Sequence, residues 1–113
     1  MDATFNPDQV FSALADATRR DIVLRALSGH EGVAELATHY PMSFAAVQKH
    51  VAVLEGAGLV TKRRRGREQL VRGNVRTVRE AQRVLEQLEA IWRSRIERMG
   101  EIIAEDDEEG NSQ

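Results

Sequence analysis

Six basic side chains fall within the eleven residues from Lys62 to Arg72, against a single acid, Glu68. Arginines packed this densely do one kind of chemistry well. Their planar guanidinium groups bind carboxylate or phosphate oxygens in forked pairs. A focused cationic patch suits a polyanionic partner; a solvated, arginine-rich hairpin tip is the alternative reading. Upstream, "SFAAVQKH" (residues 43–50) offers hydroxyl, amide and ammonium groups among small side chains. Groups for covalent or metal chemistry are scarce. The chain has no cysteine and three histidines, and no two of these share a helix face four residues apart. Neither a nucleophile–base pair nor a phosphate-binding glycine loop is evident, so no enzyme, metal site or cofactor is expected.

These residues need elements to hold them. Pro7 opens a short helix with Val10, Phe11 and Leu14 on one face. Asp16 is placed to cap "ATRRDIVLRALS", in which Asp21 and Arg25 can pair at i,i+4. "VAELATHY" predicts a short third helix ended by Pro41. Ser43 caps a fourth, which stops at glycines 56 and 58. "LVTKRRRGREQLV" predicts two strands about a turn at Gly66. A helical period then holds from about Val75 to Ala104. The expected fold is mainly α: about five helices plus a two-stranded hairpin, with helix-turn-helix spacing between the third and fourth helices.

The net charge of -2 hides an uneven distribution. Residues 101–113 hold six acids and no base, leaving a net of +4 on residues 1–100. The expected organisation is a folded domain over 1–104 and a disordered acidic tail over 105–113. No apolar run reaches the roughly 20 residues that a membrane span needs, and the acidic start does not resemble a signal peptide. Lack of cysteine suits a cytoplasmic setting.

Advancing about 100° per residue from Phe44 places Val47, Val51 and Leu54 on one side of the fourth helix. Ala45, Gln48, Lys49 and Ala52 lie opposite, with Phe44 at the edge. Small residues let a helix sit deep in a major groove, where Gln reads adenine and Lys reaches guanine or phosphate. Ser43 and the first backbone N–H groups can hold a phosphate. Phe44 can touch a thymine methyl or pack on the hairpin. His50 falls on the apolar side, as a packed, hydrogen-bonded residue would.

"LADATRRDIVLRAL", "VAELA", "MSFAAVQKHVAVLEGAGLV" and "RRRGR", in this order and spacing, resemble the ArsR family of bacterial winged helix-turn-helix repressors. The resemblance covers roughly residues 10 to 73. It implies a dimer built on the first and last helices, a fourth helix in the major groove, and a wing on the neighbouring backbone or minor groove. By position, Ser43, Phe44, Ala45, Gln48 and Lys49 match the groove-facing segment, and Arg63, Arg64, Arg65 and Arg67 match the wing. Val10, Phe11, Leu14, Leu85, Leu88, Trp92, Met99 and Ile102 are the expected dimer contacts, the last five at heptad-like spacing. The family's metal sensors carry a cysteine pair where this chain has "AELATHY", so the metal-free branch fits better. The expected partners are double-stranded DNA and a second copy of the chain, bound to an inverted-repeat operator; the residues name no small-molecule effector. The competing reading is a protein-interaction module that uses the last helix and acidic tail.

Overall fold

The structure, a computed structural model, describes residues 5–111, with side chains as far as residue 104. Two compact units, Met1–Ala81 and Gln82–Gln113, are distinguished.

Helix α1 is Pro7–Leu14, with proline in its first turn, where the missing N–H costs nothing. The Asn6 side chain accepts from Gln9 N at 3.2 Å and closes the first turn. Helix α2, Ala17–Ser28, begins where Asp16 Oδ1 accepts from Arg19 N at 3.0 Å. The expected Asp21–Arg25 pair is present at 2.9 Å. Helix α3 is Val33–Ala37, shorter than "VAELATHY" predicts. Thr38 donates its hydroxyl to Glu35 O at 2.6 Å, and the backbone tightens as Thr38 N and His39 N donate to Glu35 O and Leu36 O. Tyr40 is thereby free to turn back onto α2. Helix α4, Phe44–Gly56, is followed by Gly58 at φ +77°, a left-handed conformation natural to glycine.

Strands β1, Val60–Arg65, and β2, Glu68–Gly73, pair antiparallel from Val60↔Gly73 to Arg65↔Glu68. The loop is Gly66-Arg67, with positive φ only at Gly66, the pattern of a type II′ turn whose twist matches that of the strands. A further pairing, Gly32↔Leu70, and the bond from Val71 N to Glu31 O give β2 a second neighbour. Helix α5, Val75–Asn111, starts at Asn74, whose Oδ1 accepts from Arg76 N at 3.1 Å. The helical backbone runs past Ala104, where the hydrophobic period ends and the sequence predicts a disordered tail over 105–113. Glutamates are good helix formers and no proline interrupts them. The side chains of that tail, and residues 112–113 entirely, lie outside the described residues.

The core of Met1–Ala81 gathers Val10, Ala13, Ile22, Leu36, Val47, Val51, Leu54, Leu59, Val60 and Val71. Burying each of the large aliphatic side chains among them stabilises the fold by about 1.5–3 kcal/mol before entropy is counted. One expectation is corrected. Val10, assigned from the sequence to the dimer surface, is 0% exposed and belongs to this core. Because α2 and α4 both pack on α1, that helix turns its best aliphatic into its own domain, and only Phe11 and Leu14 remain partly exposed.

Gly73 closes the hairpin against α2. A methyl group there would lie 2.6 Å from Leu27 Cδ2 and Cγ and 2.9 Å from the Leu27 backbone nitrogen. A backbone atom cannot swing aside as a side-chain tip can. Gly73→Ala is therefore expected to cost about 1–3 kcal/mol, the usual penalty of overpacking. Urea unfolding checks it: the midpoint should fall while the denaturant slope stays constant.

Candidate nucleic-acid interface

The wheel drawn for α4 is realised in three dimensions. Val47, Val51 and Leu54 are buried, while Ala45, Gln48, Lys49 and Ala52 are exposed. Ser43 Oγ accepts from Ala46 N at 3.1 Å. That bond uses a lone pair of the hydroxyl and leaves its proton able to donate to an incoming oxygen. Phe44 is 47% exposed. Its ring lines a cleft of about 420 Å³ together with Gln48 and Val51 of α4 and Lys62, Arg67 and Gln69 of the hairpin. Gln48, Phe44 and Arg67 are thus brought around one opening. Ala45 and Lys49 are not among the residues lining it.

The hairpin is held beside α4 at its base and partway along β1. At its base Leu59, Val60 and Val71 are buried. Farther out, Lys62 Nζ lies 3.4 Å from Glu55 on α4. The pair is partly solvated and worth at most about 1 kcal/mol, so it orients the strand more than it stabilises the fold. Arg63, Arg64, Arg65 and Arg67 are all exposed. Arg64 Nε donates to Gly66 O at 3.2 Å across the turn, which shapes the tip.

Sequence reasoning missed what sets the angle of α4. Arg19 on α2 donates Nε to Ala13 O at 2.7 Å and Nη2 to Ser12 O at 3.3 Å, the latter shared with the backbone N–H of Ala15, and so covers carbonyls at the end of α1. Its Nη1 reaches His50 Nδ1 on α4 at 3.3 Å. A guanidinium can only donate, so Nδ1 accepts and the ring proton sits on Nε2. His50 is therefore half-buried and hydrogen-bonded, as its place on the wheel implied. The backbone N–H of Arg19, with the Arg19 charge behind it, holds the Asp16 carboxyl below its usual range. Arg20 adds a bond to Leu14 O at 2.8 Å. The visible signal was "DATRR": two arginines a few residues past a helix end. Their carbonyl partners leave no mark in the sequence.

A second missed cluster anchors the turn before α4. Tyr40 donates its hydroxyl to Asp21 Oδ2 at 2.6 Å, and Arg25 Nε donates to the same oxygen at 2.9 Å. These bonds hold the Asp21 carboxyl below its ordinary range. Burial, reinforced by Asp21, pushes the Tyr40 phenol up to about 12 from 10.0. Beside it, His39 Nε2 lies 2.7 Å from Glu31 Oε2. Among the described residues, no group of three or more His, Asp or Glu side chains is gathered as metal ligands would be.

A short helix, a tight turn, a capped helix with a small polar outer face, and a basic antiparallel hairpin beside it define a winged helix-turn-helix. No family model matches the chain. It is 48% identical to the HTH-type transcriptional regulator Rv2034 of Mycobacterium tuberculosis over 54% of this chain and 57% of that protein, so it spans little more than half of that relative. It is 32% identical to the solved ArsR-like transcriptional regulator from Rhodococcus sp. RHA1, with a TM-score of 0.75 over 85% of this chain and 91% of that one. A third likeness is to Mb0332 of Mycobacterium bovis, solved as a homodimeric winged helix-turn-helix DNA-binding domain. It is 28% identical, with a TM-score of 0.60 over 74% of this chain and 76% of that one. The chain belongs to the ArsR family of transcriptional regulators.

Tyr40 is the only tyrosine in the chain, so its titration can be read directly from phenolate absorbance. A raised folded value means that the neutral phenol is favoured in the folded state. The stability it lends is complete below the unfolded value of 10.0 and is lost as pH rises through about 12. The wild-type chain should therefore titrate near 12 while folded, and Asp21→Asn should bring the midpoint part of the way back towards 10.0.

Proposed function

We propose that the chain is a homodimeric, sequence-specific DNA-binding repressor that acts by occupying promoter DNA at an inverted repeat. The observation that carries this reading is the outer face of α4: small and polar, firmly backed by a buried stripe, and set beside a hairpin whose arginines take part in no ion pair among the described residues. In this reading α4 lies in the major groove. Gln48 and Lys49 reach base edges, Ser43 and the start of α4 take a phosphate, and Ala45 lets the helix approach closely. Phe44 closes the cleft against the wing, within reach of a thymine methyl. Arg63, Arg64, Arg65 and Arg67 grip phosphates or a narrow minor groove, where arginine is favoured. The action is steric and takes place in the cytoplasm.

The homodimer rests on α5. Leu85, Leu88, Trp92, Met99 and Ile102 recur at intervals of three and four, and each is more than half exposed in the single chain. A seam of that spacing is the coiled-coil pattern. Arg95 occupies the one slot where the pattern calls for an apolar residue. The related Mb0332 domain is homodimeric. Phe11 and Leu14 of α1 are the further candidates for partner contact. Sedimentation at micromolar concentration should give a dimer, and Leu88→Glu should drive it to monomer; a wild-type monomer would sink this assignment.

The two DNA-contacting elements make separable predictions. Gln48→Ala should cost about 1–3 kcal/mol on the preferred site and relax choice at one base position per half-site. Its binding to random DNA should barely change. Arg64→Ala with Arg65→Ala should weaken binding to every sequence. It should also flatten the slope of log affinity against log salt by about two to four in the dimer, at roughly 0.9 for each phosphate no longer neutralised. Gel shifts over a salt series, on selected and random duplexes, test both. Equal loss on both duplexes for Gln48→Ala would remove it from base reading. An unchanged salt slope would remove the arginines from phosphate binding.

A further inference from the structure

The cleft between α3, α4 and the hairpin carries charges that DNA reading does not use. Its volume of about 420 Å³ is enough for a small molecule, since ligand sites begin at roughly 300 Å³. The walls differ in chemistry. Val33, Val51 and the half-exposed ring of Phe44 supply apolar surface. Glu35, exposed on α3, and Glu68 of β2 bring carboxylates. Glu68 folds against the start of α3, its Oε2 3.9 Å from where a Cβ on Gly32 would stand. The hairpin also brings Lys62 and Arg67. Lys62 is engaged by Glu55, which does not line the cleft. Glu35, Glu68 and Arg67 take part in no ion pair among the described residues. Carboxylates repel phosphate, so a DNA backbone passing the wing gains nothing from Glu68, the single acid of residues 62–72.

We propose that this cleft binds a free α-amino acid with an apolar side chain, and that the bound amino acid excludes DNA. The exclusion rests on the DNA-binding reading above; the site itself does not. Charges of both signs that surround one opening without meeting each other suit a ligand that carries both. The guanidinium of Arg67 takes the amino acid's carboxylate in a forked pair. The ammonium goes to the α3 side, where Glu35 and Glu68 accept from it. The side chain lies on Phe44 and the two valines, out of water. A simple organic anion would face Glu35 and Glu68 with no cation of its own, and a simple organic cation would face Arg67. Gln48 shares the opening with Phe44. A molecule seated there covers the side chain proposed to read a base, so amino acid and DNA compete for the same surface. Release of DNA then needs no change of shape elsewhere in the chain.

The test uses the full chain with L-leucine and L-phenylalanine as probes. Two analogues accompany them: 2-phenylethylamine, which lacks the carboxylate, and 3-phenylpropionate, which lacks the ammonium. In equilibrium dialysis each analogue should bind at least about tenfold more weakly than phenylalanine, the loss of one charge-assisted bond. This comparison is made on wild type and needs no variant to fold. Glu35→Gln should also weaken phenylalanine by about tenfold, yet change affinity for a duplex selected from random-sequence DNA by less than roughly twofold, as befits an exposed charge outside the DNA contacts. In gel shifts phenylalanine should weaken wild-type binding to that duplex in proportion to its concentration, without a plateau. An effector seated away from the reading face would instead saturate at a fixed factor, typically about 5–150-fold. A plateau overturns the exclusion. The site is overturned if neither amino acid binds, if either analogue binds as tightly as phenylalanine, or if Glu35→Gln keeps full affinity for it. Phenylalanine bound by a chain that selects no duplex would defeat the DNA-binding reading and the exclusion with it, a result distinct from the others.

Discussion

A single guanidinium sets the attitude of the helix that matters. Arg19 holds the end of α1 through two carbonyls, borders its own N-cap Asp16 at 4.0 Å, and reaches the ring of His50 on α4. Lysine could not substitute, because three targets in different directions need a rigid planar fork of donors. Apolar packing alone tolerates a helix sliding or turning by a fraction of a residue. A hydrogen bond at 3.3 Å to one ring nitrogen adds a directional preference to that packing. On the proposed reading that preference matters, since base-reading side chains on α4 would have to meet base edges to within about half an ångström.

The wing is positioned on a different principle. Its base is buried and its tip is entirely polar, so the hydrophobic effect fixes one end and leaves the other to electrostatics. Along the hairpin the backbone supplies the order. β2 is paired with β1 on one side and with the segment around Gly32 on the other. That second pairing ties the wing to the start of α3, and the Tyr40–Asp21 bond ties the end of the α3 turn to α2. The Lys62–Glu55 pair then links the wing to α4 directly. The two proposed DNA-contacting elements therefore share supports and keep their relative geometry, whereas a flexible arginine tail would have to lose conformational entropy on each encounter.

Much of this was legible because it depends on period. The buried stripe and open face of α4 follow from 3.6 residues per turn, and the hairpin turn at Gly66 and the caps at Asp16 and Ser43 from local chemistry. What escaped was competition between uses of the same residue type. Val10 looks alike whether it serves its own core or a partner's surface, and only packing by both α2 and α4 decided for the core. The length of α3 escaped because Thr38 and Tyr40 fit a helical period until their hydroxyls find other acceptors. Arg19 and Arg20 escaped because the backbone carbonyls they bind carry no sequence signature.

The same competition bears on how the chain distributes its charge. Arg19, Arg25 and Lys62 are committed within the protein, to carbonyls or carboxylates. The hairpin arginines take part in no ion pair among the described residues, although the chain as a whole carries more acids than bases. Acids sufficient to neutralise them exist but lie elsewhere along the sequence, the densest run being at residues 101–109. Segregation of this kind costs self-repulsion in the isolated domain, and a random scatter of the same residues would avoid it. That cost is offset when a polyanion binds, because each phosphate contact also returns a condensed counterion to solution. On the proposed reading, wing arginines that take part in no ion pair among the described residues are a stored preference for phosphate.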